Sequence, residues 1–163
     1  YELLINLPFT KRLQAVPYVA SCHHEKLDGT GYYRGLKGEE IPFLSRIIAV
    51  ADVFDALTSV RHYRNRMPVE KVAEILESGK GNHFDGRCVD TFNRMPSDRV
   101  LMVMESERDR KASEDLSIFK HVSWQRLVEL VSGSKPKRGE DGVRESFDRL
   151  YNFGLPEGYK ALD

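Results

Sequence analysis

Apolar positions recur at helical spacing through most of the chain. Tyr1, Leu4 and Ile5 set that rhythm at once, so the chain is expected to begin inside a helix and to be a fragment of something longer. Leu7 and Pro8 break this first segment. A second periodic segment from about Thr10 carries Leu13, Val16, Val19 and Ala20 toward a histidine pair, which is placed at a helix end. Asp28 to Gly31 supply Asp-Gly turn chemistry, and a loop rich in glycine and charge continues to about Glu40. Pro42 suits the first turn of the next helix, FLSRIIAVADVFDALTSV, which is apolar on almost every side and is therefore expected to be nearly buried.

Farther on, Pro68 opens a helix whose inner stripe is Val72, Ile75 and Leu76, ended by Ser78 to Gly81. Asp85 and Ser97 are placed as N-caps of two more helices, the second being the charged run DRVLMVMESERDRK. Ser123 caps a helix with Trp124, Leu127, Val128 and Val131 inward. The stretch SGSKPKRGEDG, residues 132–142, mixes glycine, serine, proline and charge with no apolar period and predicts a flexible linker. A last short helix around Phe147, Leu150 and Tyr151 is expected to dock on the body. No internal repeat and no sustained strand alternation occur, so the fold class is all-α.

Composition narrows the class of partner. The 163 residues suffice for a real core. Lys plus Arg and Asp plus Glu each number 25, and a net charge of zero gives no electrostatic footprint for nucleic acid. No apolar run is long enough for a membrane span and no leader pattern opens the chain, so a soluble cytoplasmic location is expected. Two cysteines, Cys22 and Cys88, are too few for a disulfide framework and fit a reducing compartment. Cys22 adjoins the histidines, and it reads either as a ligand or as a small buried hydrophobe.

The run HHEKLDGTGYY, with His23, His24, Glu25, Asp28, Gly31 and Tyr32, carries the candidate chemistry. Successive residues of a helix point about 100° apart, so adjacent histidines on a helix would each serve a different metal of a cluster. Glu25 and Asp28 are then placed to orient the imidazole rings from behind. Asp52 and Asp55 lie on one face of the apolar helix. A buried carboxylate costs several kcal/mol unless a cation or hydrogen bonds meet it. That cation is either an arginine (Arg46, Arg61 or Arg64) or a metal, for which imidazole and carboxylate are suitable ligands. A division of labour is expected, with Asp52 on metal and Asp55 on an arginine or the substrate. His62, His83 and His121 read as ordinary core or surface residues.

HHEKLDGTGYY, then IPFLSRIIAVADVFDALTSVRHYR, then GNHFDGRCVDTF, resemble the HD-GYP family of bacterial metal-dependent phosphohydrolases over roughly residues 1 to 100. The resemblance implies a helical bundle of the HD-domain type, here truncated at its N-terminus, with residues 1–104 its C-terminal portion and 105–163 a helical extension. It implies hydrolysis of cyclic di-GMP to linear pGpG or on to GMP, with two or three divalent ions, iron or manganese. By matching position, His23, His24 and Asp52 are implied as metal ligands and catalytic residues. Tyr32, Asp55, Arg61 and Arg64 are implied as substrate-binding residues; a guanidinium fork is well shaped for phosphate oxygens.

Two departures accompany the resemblance. The family's Gly-Tyr-Pro stands here as Gly31, Tyr32 and Tyr33, which removes the fixed φ of proline, in a loop associated in the family with partner proteins. No His-Asp dipeptide occurs in the chain. The family places that dyad, with further histidines, upstream, so the chain alone is expected to be inactive. The alternatives to a phosphodiesterase are a catalytically degenerate module that binds a nucleotide or a signalling protein, and an HD-type phosphohydrolase of another nucleotide. A homodimer remains open.

Overall fold

The computed structural model describes residues 2–59, 66–106 and 116–152. Among these the regular structure is helical, with only isolated bridges between Lys80 and Phe84 and between Pro96 and Ser123. In chain order the helices are α1 (Glu2–Ile5), α2 (Val16–Ser21), α3 (Phe43–Thr58), α4 (Val69–Ser78), α5 (Gly86–Arg94), α6 (Ser97–Ser106), α7 (Trp124–Val131) and α8 (Val143–Asn152). Short 3₁₀ turns occupy Lys11–Leu13, Gly38–Glu40 and Leu116–Phe119. The all-α expectation therefore stands. No helix among the described residues is long and apolar enough to cross a membrane.

The chain forms two compact units that interleave along the sequence: Tyr1–Phe54 with Ile75–Val89, and Asp55–Glu74 with Asp90–Asp163. In the first, α1 packs on α2, and the segment from Thr10 is split into a 3₁₀ turn and a short helix with Pro17 in its first turn. Helix α3 inverts the expectation of near-complete burial. Phe43, Leu44, Ile47 and Ile48 are exposed, whereas Ser45 and Arg46 are buried with Ala49, Val50 and Phe54. Each inward polar group has acceptors that offset its loss of water. The Ser45 hydroxyl donates to the Val19 carbonyl at 2.8 Å. Arg46 donates through Nε to the Ile41 carbonyl at 2.9 Å and through Nη1 to Asp85 and Glu39, both at 3.0 Å.

Asp85 is a junction in this unit. It accepts from the Arg87 amide at 3.0 Å, in the manner of the expected cap, and from the guanidiniums of Arg87 and Arg46. These donors, Arg87 foremost, hold its carboxyl well below the usual range despite burial. The turn before it is tight, since a Cβ on Gly79 would strike the Phe84 ring, and Gly81 takes φ +78°, where glycine has no steric penalty.

The second unit is held by rings. Its most buried large side chains are Trp124, Phe119 and Phe147, with Leu127, Val143 and Val72. Trp124 tilts against Phe92 at 5.8 Å, and Phe147 stacks on Tyr151 at 5.1 Å. Helix α7 packs on α6 and α8. Ser123 caps α7 as expected, accepting from the Arg126 amide at 3.2 Å. Leu130 is buried beside Trp124 and Leu127, while Val128 and Val131 are only half-buried. Ser97 does not cap α6; its fully buried hydroxyl donates to the Val122 carbonyl at 2.8 Å instead, because that carbonyl is its acceptor out of water.

Residues 132–142, read from composition as a flexible linker, are bonded to α7. Arg126 bonds Glu140 at 2.7 Å and the Lys135 carbonyl at 2.9 Å, and Glu140 takes the Lys137 amide at 2.7 Å. The segment is thus a closed turn on α7. Arg126 foremost, with the Lys137 amide, draws the Glu140 pKa down to about 2.

Candidate metal centre

Helix α2 stops at Ser21, and Cys22 to His24 turn away from it. The histidines therefore lie beyond the helix, and the argument from helical spacing for one metal per histidine does not apply. Their rings are 4.0 Å apart, tilted by 40°. One nitrogen of each and one oxygen of Asp52, on α3, lie within 4.8 Å of one another. All three belong to the first unit. His23 is half-buried, His24 and Asp52 exposed. Two imidazoles and a carboxylate are a donor set suited to a divalent first-row ion, so the residues present fit a metal.

The His23 ring is set from behind by backbone. Its Nδ1 lies 2.6 Å from the Ala20 carbonyl; a carbonyl only accepts, so Nδ1 carries the proton and Nε2 keeps its lone pair for an ion. The residues expected to orient the imidazoles are engaged elsewhere. Glu25, buried to 3% exposure, accepts from the amides of Arg34 at 2.7 Å and Leu36 at 3.1 Å, which ties the far side of the loop back to its start. Asp28 accepts the amide and hydroxyl of Thr30 at 2.8 and 2.7 Å. Those two bonds lower its pKa, helped by His83, whose Nε2 is 3.9 Å away. Both acids build the loop, because backbone amides that turn inward need acceptors more than the rings do.

The loop serves the site through Tyr32. Its ring stacks on His24 with centroids 4.9 Å apart and 15° between planes, and its amide donates to the His24 carbonyl at 3.4 Å. Gly31 makes this approach possible, since any Cβ there would collide with the backbone of Glu25 and Lys26. In the same loop, the Arg34 guanidinium lies 5.1 Å over the Tyr18 ring and 6.0 Å from the Tyr33 ring.

The other expected residues are not all brought together. Asp55 is exposed rather than buried, and it takes the Ser59 hydroxyl at 3.1 Å; the premise that burial forces a cation on Asp52 and Asp55 fails for both. Arg61, Arg64 and His62 lie outside the described residues. Arg46 serves Asp85 and Glu39. Cys22 is fully buried and outside the cluster, as a small hydrophobe. His83 and His121 are largely exposed and do not join it. Sequence reasoning missed the Ala20 carbonyl and the pair Tyr18 and Arg34. An arginine two residues after Tyr32 was a visible signal for the second of these.

A family model described as HD domain matches residues 1–88. The chain is 50% identical over 94 residues to the 3'3'-cGAMP-specific phosphodiesterase 3 of Vibrio cholerae, a match covering 55% of this chain and 20% of that protein. It is 45% identical over 94 residues to the cyclic di-GMP phosphodiesterase response regulator RpfG of Xanthomonas campestris, covering 58% and 25%. It is 39% identical over 132 residues to a cyclic di-GMP phosphodiesterase of Thermotoga maritima, covering 81% and 32%. The chain thus spans between a fifth and a third of the length of these relatives.

Proposed function

The chain belongs to the HD domain family, and from that premise we propose that the protein is a metal-dependent phosphodiesterase of the HD-GYP kind, acting on cyclic di-GMP in bacterial signalling. The observation that carries this reading is the convergence of His23, His24 and Asp52 within 4.8 Å beside an exposed, stacked Tyr32. His23 through Nε2, His24 and Asp52 would hold the metal, as part of a site of two or three iron or manganese ions. When bound, such ions lower the pKa of water and neutralise charge on phosphoryl oxygens.

What the chain itself does is position and orient. The Ala20 carbonyl keeps His23 in one tautomer and one orientation. Tyr32 fixes the plane of His24 and offers a ring and a hydroxyl to the substrate. Asp55, Arg61 and Arg64 are assigned to substrate binding, the arginines to phosphate oxygens. The product is linear pGpG, GMP or both.

The named relatives include phosphodiesterases of 3'3'-cGAMP as well as of cyclic di-GMP, which favours a cyclic dinucleotide of another base pair as the second substrate to try. Exposure of Tyr32 and Tyr33 at 66% and 69% suits a different role for the same loop, as the docking face of a module without turnover. One experiment separates these. The whole protein, purified in reducing anaerobic buffer and loaded with iron or manganese, is incubated with cyclic di-GMP and 3'3'-cGAMP, and products are followed by chromatography. Turnover is expected, with Asp52→Ala lowering it at least about a hundredfold, since even residues behind a metal ligand cost 10–100-fold. Equal turnover in that variant would overturn the ligand assignment; metal-free protein without turnover would favour the binding module.

A further inference from the structure

The two histidines of the cluster are oriented by different means. His23 meets the Ala20 carbonyl through Nδ1, whereas the contacts of the His24 ring are with other rings, His23 at 4.0 Å and Tyr32 at 4.9 Å. The plane of His24 therefore depends on what keeps Tyr32 in place. Burial does not: Tyr32 and Tyr33 are 66% and 69% exposed, so little apolar area leaves water when the loop takes this form. The Tyr32 amide reaches the His24 carbonyl at 3.4 Å, beyond the usual range for such a bond. Tyr33 next to it takes a φ of 157°, uncommon for a residue with a side chain.

The firm hold on this stretch is Glu25. Its carboxylate, only 3% exposed, accepts from the Arg34 amide at 2.7 Å and from the Leu36 amide at 3.1 Å. The Arg34 amide belongs to the peptide group that follows Tyr33, so the shorter bond closes on the uncommon backbone itself. Hydrogen bonds to a carboxylate are roughly twice as strong as neutral ones. Gly31 lies so close to the backbone of Glu25 and Lys26 that a Cβ would collide with it, and the loop is thus folded against the residue that fastens it. Glu25 also follows His24 directly, so fastener and imidazole share a peptide bond. A side-chain hold is the weaker one, since a cation over an exposed ring, as Arg34 is over Tyr18, contributes little.

Resting on the reading of His24 as a metal ligand, we propose that Glu25 is a positioning residue of the metal centre. By fastening the amides of Arg34 and Leu36 it keeps Tyr32 stacked on His24, and through that stack it fixes the direction in which His24 presents its nitrogen. Glu25 acts through the loop and makes no bond to the imidazole that it orients.

NMR of the metal-free 163-residue chain reads the stack, because the protons of an imidazole lying face to face with a phenol ring resonate upfield of their free position. Tyr32→Leu supplies the unstacked reference for His24, and the signals of His121, in the other unit, report an intact fold. Glu25→Gln keeps the shape and turns a donor toward one of the two amides; it is expected to move the His24 signals more than half of the way to that reference. Arg34→Ala keeps the amide and is expected to leave them close to the wild-type position. Hydrogen exchange of the wild type needs no variant: the Arg34 and Leu36 amides are expected to exchange at least about tenfold more slowly than in an unfolded chain. Unmoved His24 signals in Glu25→Gln with His121 intact, an equal displacement in Arg34→Ala, or unprotected Arg34 and Leu36 amides would each overturn the proposal. Manganese titration of the whole protein is scored apart, and Glu25→Gln is expected to bind at least about tenfold more weakly. A lost stack with unchanged manganese affinity sinks His24 as a ligand and leaves the fastening; weaker binding with the stack retained sinks the positioning role and leaves the ligand.

Discussion

The two units of this chain are held together by different physics. The unit that carries the histidines is pinned by charge: Arg46, Asp85, Arg87 and Glu39 form one hydrogen-bonded group, and Glu25 closes the loop with both oxygens. The unit that ends in α8 is held by Trp124, Phe119, Phe147 and the aliphatic side chains around them. Dispersion and burial are forgiving of direction, whereas hydrogen-bonded charge fixes it. The candidate site, where two imidazoles and a carboxylate come within 4.8 Å of one another, lies in the unit with the second kind of bond.

That contrast can be pressed by mutation. The largest loss of stability is expected from Trp124→Ala, about 3–5 kcal/mol, because a fully buried indole leaves a cavity that α6 and α8 cannot close; chemical denaturation followed by circular dichroism measures it, and a loss under 1 kcal/mol would show that rings do not carry this unit. Asp85→Asn comes next, at about 1.5–3 kcal/mol for weakened charge-assisted bonds to Arg46 and Arg87, and it has a signature that Trp124→Ala lacks. Because the folded-state pKa of Asp85 is depressed, its contribution is complete above the unfolded value near about 4 and is lost as the pH falls through the folded value. The wild type should therefore lose stability below about pH 4 more steeply than the asparagine variant, as acid titration of the melting temperature would reveal. Parallel acid limbs for the two would break the comparison. Ser123→Ala is the mildest, about 1 kcal/mol for a lost cap, with little change in the metal affinity of the other unit.

The same contrast explains what could be read in advance. Helices α4 and α7 were legible because an apolar stripe on one face states which side goes inward, and the caps at Ser123 and Asp85 follow from short oxygen acceptors ahead of a helix. Helix α3 was legible in extent and not in orientation. Its apolar residues surround the axis, so hydropathy alone named all of it as core, and the inward turn of Ser45 and Arg46 depended on distant partners at Val19 and Asp85. In the candidate site, the trio His23, His24 and Asp52, which the structure brings within 4.8 Å, could be named from sequence by residue type and motif. The supports could not. Glu25 and Asp28 stand next to the histidines in sequence and bond to loop amides in space, whereas the group that sets His23 is a backbone carbonyl, which no residue type announces. Composition did not announce the bonds of residues 132–142 either, because glycine and charge describe an unbonded segment equally well as one tied by Arg126 and Glu140.

Ser45 fastens α3 to the Val19 carbonyl, one turn before the chain leaves α2 for the histidines. That bond makes the imidazoles and the Asp52 carboxylate passengers on one yoked pair of helices. The gap between them then depends on how α3 is joined to α2 as well as on the turn that carries the histidines. A buried hydroxyl that is no part of the cluster thereby bears on how closely its nitrogens and oxygen converge.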